Sequence, residues 1–157
     1  MAVSHKGPVP CAHELQRSTT RNPRTMRIVS LDHLVLTVQD IPRTVTFYTT
    51  VLGVSEVSFG GRTALAFGNQ KINLHHTGRE FDPKPAHPTP GSADLCLVAD
   101  TLIETVIAEL KSHAVEIVEG PVLRTGARGP ILSVYFRDPD GNLVVVSNYA
   151  EAGELPK

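Results

Sequence analysis

Two histidines and one aspartate draw attention because each sits in an alternating segment, opposite in parity to a set of aliphatic residues. Leu31–Val38 (LDHLVLTV) places Leu34, Leu36 and Val38 on one face and His33, Val35 and Thr37 on the other. In Lys71–His75 the second set continues with Asn73 and His75, and in Ala93–Val98 (ADLCLV) with Asp94 and Cys96. Val145 and Ser147 share that parity in Leu143–Ser147. Imidazole and carboxylate are the side chains that move protons near neutrality or hold divalent ions. One histidine among apolar residues would be unremarkable; His33, His75 and Asp94 on one parity are more pointed. Asp94 facing an apolar interior is costly unless it is metal-bound or hydrogen-bonded to a neighbouring threonine or backbone group.

Other polar residues read more plainly. His76 has the opposite parity to His75, and a register slip of one residue would exchange their faces. His87 lies in a proline-rich stretch, and Asp32 reads as a polar residue at a strand edge. Cys96 reads as a small buried hydrophobe, because no histidine is spaced beside it to activate a thiolate. The Arg124–Gly129 segment (RTGARG) suits an anion or thiol-cofactor contact, or else a flexible hairpin end, which is the preferred reading. The sequence holds no Gly-rich phosphate loop and no G-x-S-x-G elbow.

The elements that must position these residues come in a repeated order. After the first strand, Asp40 suits a helix N-cap and Pro42 its first turn, with Ile41, Val45, Tyr48 and Leu52 on one face and Gly53 as terminator. Strands are expected at Ser55–Phe59, Thr63–Phe67 and Lys71–His75, separated by the turn pairs Gly60-Gly61 and Gly68-Asn69. Gly78–Gly91, with four prolines, reads as a stiff connector. The unit then recurs. A strand at Ala93–Val98 leads to a helix opened by a Thr101/Glu104 capping box, with Leu102, Ile103, Val106, Ile107 and Leu110 apolar. Lys111 and His113 sit near its C-terminal end, where the helix dipole favours positive charge. Strands at Val115–Val118, Ile131–Phe136 and Leu143–Ser147 complete it, the last two joined by an Asp138-Pro139-Asp140-Gly141 turn. His33 and Asp94 occupy matching positions, with Leu34/Leu95 and Leu36/Leu97 in step, so the halves read as an internal duplication. The expected fold is α+β: two βαβββ modules forming one curved mixed sheet around a cavity.

Composition sets the outer bounds. The 157 residues carry 15 Lys+Arg against 16 Asp+Glu, a net charge of −1 that argues against nucleic acid or an anionic membrane as partner. Two cysteines, Cys11 and Cys96, exclude a disulfide scaffold, and no apolar run reaches the roughly 18 residues of a membrane span. Residues 1–27 hold five basic groups and only Glu14 as an acid, leaving −5 for the remainder. This stretch reads as a disordered basic tail, with a mitochondrial transit peptide as the weaker alternative; a cytoplasmic location is expected. Met26 directly precedes the first strand-like segment, so a product starting there would keep every element.

Several spaced segments agree with one known family. LDHLVLTVQD, FYTTVLGV, QKINLHH, PTPGSADLCLV, VEGPVLRTGA and YFRDPDGNLVVVSNY resemble the glyoxalase/bleomycin-resistance/ring-cleaving dioxygenase group, the vicinal oxygen chelate superfamily. Within it, the chain is similar to glyoxalase domain-containing and lactoylglutathione-lyase-like members. The resemblance implies a domain over residues 28–150, with modules at about 28–77 and 92–150, and a C-terminal tail at 151–157. It implies a homodimer acting on a small molecule with adjacent oxygens, and a divalent metal (Zn, Ni, Fe or Mn) with glutathione as a candidate thiol. Carried onto this sequence, the metal positions fall on His33, His75 (or Asn73) and Asp94, with Asp94 also the candidate base. The last-strand ligand, usually a Glu four residues past the glycine of the DPDG turn, is Val145 here. Valine coordinates nothing. Two readings follow: a glyoxalase-like metal-dependent lyase or isomerase, or a metal-free small-molecule binding protein. A third treats the domain as an interaction module.

Overall fold

The computed structural model describes residues 26–149. Most of the expected basic tail, with Cys11, and the C-terminal tail at 151–157 lie outside them. Met26–Ser30 are without secondary structure and exposed. From there the duplication is visible in the order of elements. The first module contains β1 (His33–Val38), α1 (Ile41–Leu52), β2 (Ser55–Phe59), β3 (Arg62–Phe67) and β4 (Gln70–His76). The second contains β5 (Asp94–Val98), α2 (Ile103–Ser112), β6 (Ile117–Gly126), β7 (Gly129–Arg137) and β8 (Leu143–Tyr149). Each module folds into a four-stranded mixed sheet, ordered β1-β4-β3-β2 and β5-β8-β7-β6. The first strand of each runs parallel to the last, and the remaining pairs are antiparallel.

Local chemistry explains most boundaries. Asp40 caps α1 by accepting the Arg43 amide at 2.8 Å, and Gly53 ends it in the left-handed region at φ 65°. Two boundaries differ from expectation. Thr101 does not cap α2: Leu102 is the N-cap, with no side-chain oxygen to accept an amide, because Asn148 Nδ2 holds the Ala99 and Thr101 carbonyls at 2.8 Å and keeps that segment beside β8. The sixth strand also runs to Gly126, well past Val118. Gly120 and Pro121 disguise it, since the pair interrupts the alternation and shifts the register with β7 between Glu119 and Val122. A side chain at Gly120 would strike the Ser133 carbonyl at 2.7 Å, so glycine is required there.

The aliphatic faces of both modules meet in one core. Leu36, Val38, Tyr48, Leu65, Ile72 and Leu74 pack with Ile103, Val106, Leu110, Phe136, Val144 and Val146. Polar contacts at the turn between β7 and β8 add to this, the buried one between the modules being Tyr48 to Asp138. Tyr48 donates to Asp138 Oδ2 at 3.1 Å, and Asn142 donates to Asp138 through its amide at 2.9 Å and Nδ2 at 2.8 Å. Asn142 Oδ1 accepts the Ala93 amide at 2.9 Å, and Arg43 reaches Asp140 at 2.9 Å. Burial beside Asp138 pushes the Tyr48 hydroxyl far above its usual range, so it stays a donor. Deleting the acceptor strands several buried donors, whereas deleting one donor does not. Asp138→Ala is therefore expected to lose about 3 kcal/mol, and Tyr48→Phe about 1 kcal/mol, in urea denaturation.

Candidate functional site

With the aliphatic face of each sheet committed to the core, the other face of each sheet points away from it. On the first sheet, register pairs Asn73 with Val35 and Ala64, and His75 with Thr37. Lys71, Asn73 and His75 thus form one row along β4, with His33 beside Lys71. His75 is only 7% exposed. The connector supplies its cover: Phe81 packs edge-on against the imidazole at 5.2 Å, and the Arg62 guanidinium lies 4.4 Å from the Phe81 ring centre. Glu80 steadies this turn by accepting the Gly78 amide at 2.9 Å and the Lys84 ammonium at 3.3 Å.

Two buried side-chain atoms in this row lack any hydrogen-bond partner, Asn73 Oδ1 and His75 Nδ1. Buried polar atoms are normally satisfied, and leaving one unmade costs about 1–3 kcal/mol. Desolvation lowers the His75 pKa below its ordinary value, and the nearby Arg62 charge adds to this while Glu80 opposes it. The shift favours the neutral ring, which presents one N–H and one lone pair.

The remaining sequence-predicted residues lie elsewhere. His33 is exposed, and its Nδ1 meets Asp32 Oδ1 at 2.7 Å. That hydrogen bond, then the charges of His33 and Lys71, hold the Asp32 carboxyl below the usual carboxylate range. Asp32 is thus a partner for His33, a role its parity hid. Asp94 belongs to the second sheet and is exposed, so the burial cost expected of it does not arise. Cys96 is exposed as well, which corrects its reading as a buried hydrophobe. The reason is that β5 is an edge strand whose outward face carries Asp94, Cys96 and Val98 uncovered. Cys96 Sγ stands 3.4 Å from Ser147 Oγ, which also bonds Ser133 at 2.8 Å. Val145, opposite Cys96 and Tyr135, is buried.

Among the described residues no three His, Cys, Asp or Glu side chains gather as a metal-binding group. His33 and His75 share a face but stand four residues apart along their strand pair, about 13 Å at strand spacing. Asp94 sits on the other sheet, and Val145 has no donor atom. Within one chain these residues do not fit a metal centre.

Comparison with known proteins gives the lineage. The sequence pattern of the Glyoxalase/Bleomycin resistance protein/Dioxygenase superfamily matches residues 30–146. The chain belongs to this superfamily. It is 54% identical over 133 residues to the Glyoxalase domain-containing protein RDO1 of Mycosarcoma maydis, covering 84% of this chain and 75% of that one. It is 57% identical over 125 residues to Virulence protein STM3117 of Salmonella typhimurium, covering 79% of this chain and 87% of that one. The crystal structure of STM3117 superposes with a TM-score of 0.79, covering 80% of this chain and all of that one. A lactoylglutathione lyase from Agrobacterium tumefaciens, 22% identical, shares the fold with a TM-score of 0.60 over 78% of this chain and 96% of that one. The superfamily's vicinal oxygen chelate fold of two βαβββ modules is the one seen here.

Parity placed His75 and Asn73 on one outward face, as the register shows. It gave no sign of the neighbours Arg62, Lys71 and Phe81. No local signal marks Phe81, which reaches β4 from a connector without regular structure. In an NMR titration the His75 ring is expected to titrate below the ordinary histidine pKa of about 6.5. Arg62→Gln should raise that value, because it removes a nearby positive charge. A His75 pKa at or above 6.5 would contradict this picture.

Proposed function

We propose that this chain binds a small oxygen-bearing molecule on the outward face of the first sheet, at His75 and Asn73. The carrying observation is the pair of unpartnered buried atoms, Asn73 Oδ1 and His75 Nδ1, side by side on β4. A hydroxyl satisfies Asn73 Oδ1 by donating to it, and a neutral imidazole accepts or donates according to its tautomer. In this reading the protein holds its ligand through hydrogen bonds and apolar contact, without a metal. The buried Val145 supports it, because the last-strand position that a ligand would occupy is an aliphatic side chain.

A second reading is the metal-dependent lyase or isomerase, with His33, His75 and Asp94 as ligands and Asp94 as an alternative base. It is favoured by superfamily membership and by the neutral His75, whose lone pair is available. Because one chain does not gather the donors, this reading requires a homodimer in which a second copy brings the exposed Asp94 of β5 toward the first sheet. The superfamily includes lyases and binding proteins alike, so membership does not choose between the two.

Metal analysis separates them. Purified protein reloaded with Zn, Ni, Fe or Mn is expected to retain less than about a tenth of an equivalent. Val145→Glu, shown to be folded by circular dichroism, is expected to retain more, because it adds a carboxylate on the outward face of β8. Near-stoichiometric metal in the wild type, lost in His33→Ala and His75→Ala, would overturn the binding reading in favour of the lyase.

A further inference from the structure

Two cations close to the His75 row lack carboxylate partners. Among the described residues the salt bridges join Asp32 with His33, Arg43 with Asp140, Lys84 with Glu80, His113 with Glu109, and Arg124 with Glu119. Neither Arg62 nor Lys71 takes part. Both rest instead on aromatic rings, Arg62 over Phe81 at 4.4 Å and Lys71 over Phe59 at 4.0 Å.

The register relates Phe59 and both cations to one face of the sheet. Phe59 pairs directly with Arg62, whereas Lys71 pairs with Ala66, in the row that contains Ser55. Ser55 and Phe59 lie four residues apart on β2, so the Lys71 side chain runs diagonally over the sheet to reach the Phe59 ring. Ala64 and Ala66, on the same outward face of β3, have no bulk to obstruct it. Arg62 neighbours Thr63, which pairs with Leu74, so it flanks His75 at the end of the row. The Arg62 guanidinium thus stands at the end of the face where His75 and Phe81 lie, and the Lys71 ammonium rests on Phe59, the cross-strand partner of Arg62.

Nearby acids do not neutralise the pair. Glu80 is engaged by Lys84 and the Gly78 amide, and Asp32, which also feels the Lys71 charge without contacting it, is hydrogen-bonded to His33. A cation held on a ring face keeps its remaining N–H donors free, and Arg presents several in a fork that matches a carboxylate. Beside them, Asn73 Oδ1 is an acceptor waiting for a hydroxyl.

We infer that Arg62 and Lys71 form a carboxylate subsite next to Asn73 and His75, so that the ligand is a small hydroxycarboxylate. This rests on the binding reading above and narrows its ligand class.

The probes are L-malate and its neutral dimethyl ester, measured by calorimetry and by the His75 ring resonances of the full chain. Malate is expected to shift His75 and to bind about 10- to 100-fold more tightly than the ester. Arg62→Gln and Lys71→Gln, each checked for an unchanged melting temperature, should each weaken malate by about tenfold or more and leave the ester unaffected. Arg128→Gln, whose guanidinium lies over Tyr149 on the second sheet, should change neither. If the ester binds as tightly as malate and still shifts His75, the carboxylate subsite is wrong and the binding reading stands. Equal losses in Arg128→Gln and Arg62→Gln also overturn the subsite, because they indicate diffuse charge attraction. If neither probe moves His75, both this inference and the binding reading fail.

Discussion

The buried Asp138 carboxylate is the joint on which the arrangement of the two modules depends. It accepts from Tyr48 of the first module and from Asn142 and the Asp140 amide of the second. Asn142 in turn holds the Ala93 amide at the start of β5. One carboxylate therefore fixes the β7–β8 turn against α1 and against the strand opening its own module. A charge this deep is tolerated only because its donors surround it. With the joint in place, the aliphatic faces of both sheets are directed into one core, and the polar faces have no choice but to look away from it.

That constraint explains what could be read in advance. The Asp40 cap, the Gly53 terminator and the Gly-Gly and Gly-Asn turns are local signals, so α1 and the hairpin β2–β3–β4 were legible to within a residue. The sixth strand was not, because Gly120 and Pro121 break the alternation that identifies a strand while a bulge lets pairing continue. The start of α2 was displaced by Asn148, a residue 47 positions from Thr101 that no local motif can anticipate. Parity placed His75 and Asn73 on the correct face, yet the chemistry of that face also depends on Phe81, Arg62 and Lys71. Their placement is tertiary: Phe81 arrives from an irregular connector to meet Arg62, and Lys71 reaches the Phe59 ring two strands away.

Functionally, the two open faces are unequal. The first carries a buried imidazole, a buried amide oxygen and two ring-mounted cations. The second is lined at its centre by Val145, Ser133 and Ser147, with the serine hydroxyls bonded to one another. The unpartnered buried polar atoms therefore lie in the first module, while the second offers the exposed edge strand β5. In a superfamily where chelation of a metal is common, the proposed binding reading has these unsatisfied polar groups hold the ligand by hydrogen bonds.

The most direct measurement is a crystal structure of the full chain grown with L-malate at neutral pH. The account predicts an organic molecule on the first sheet, with an oxygen within hydrogen-bond distance of Asn73 Oδ1 or His75 Nδ1. It would be contradicted if a second copy of the chain satisfied both atoms with its own side chains and no small molecule touched that face.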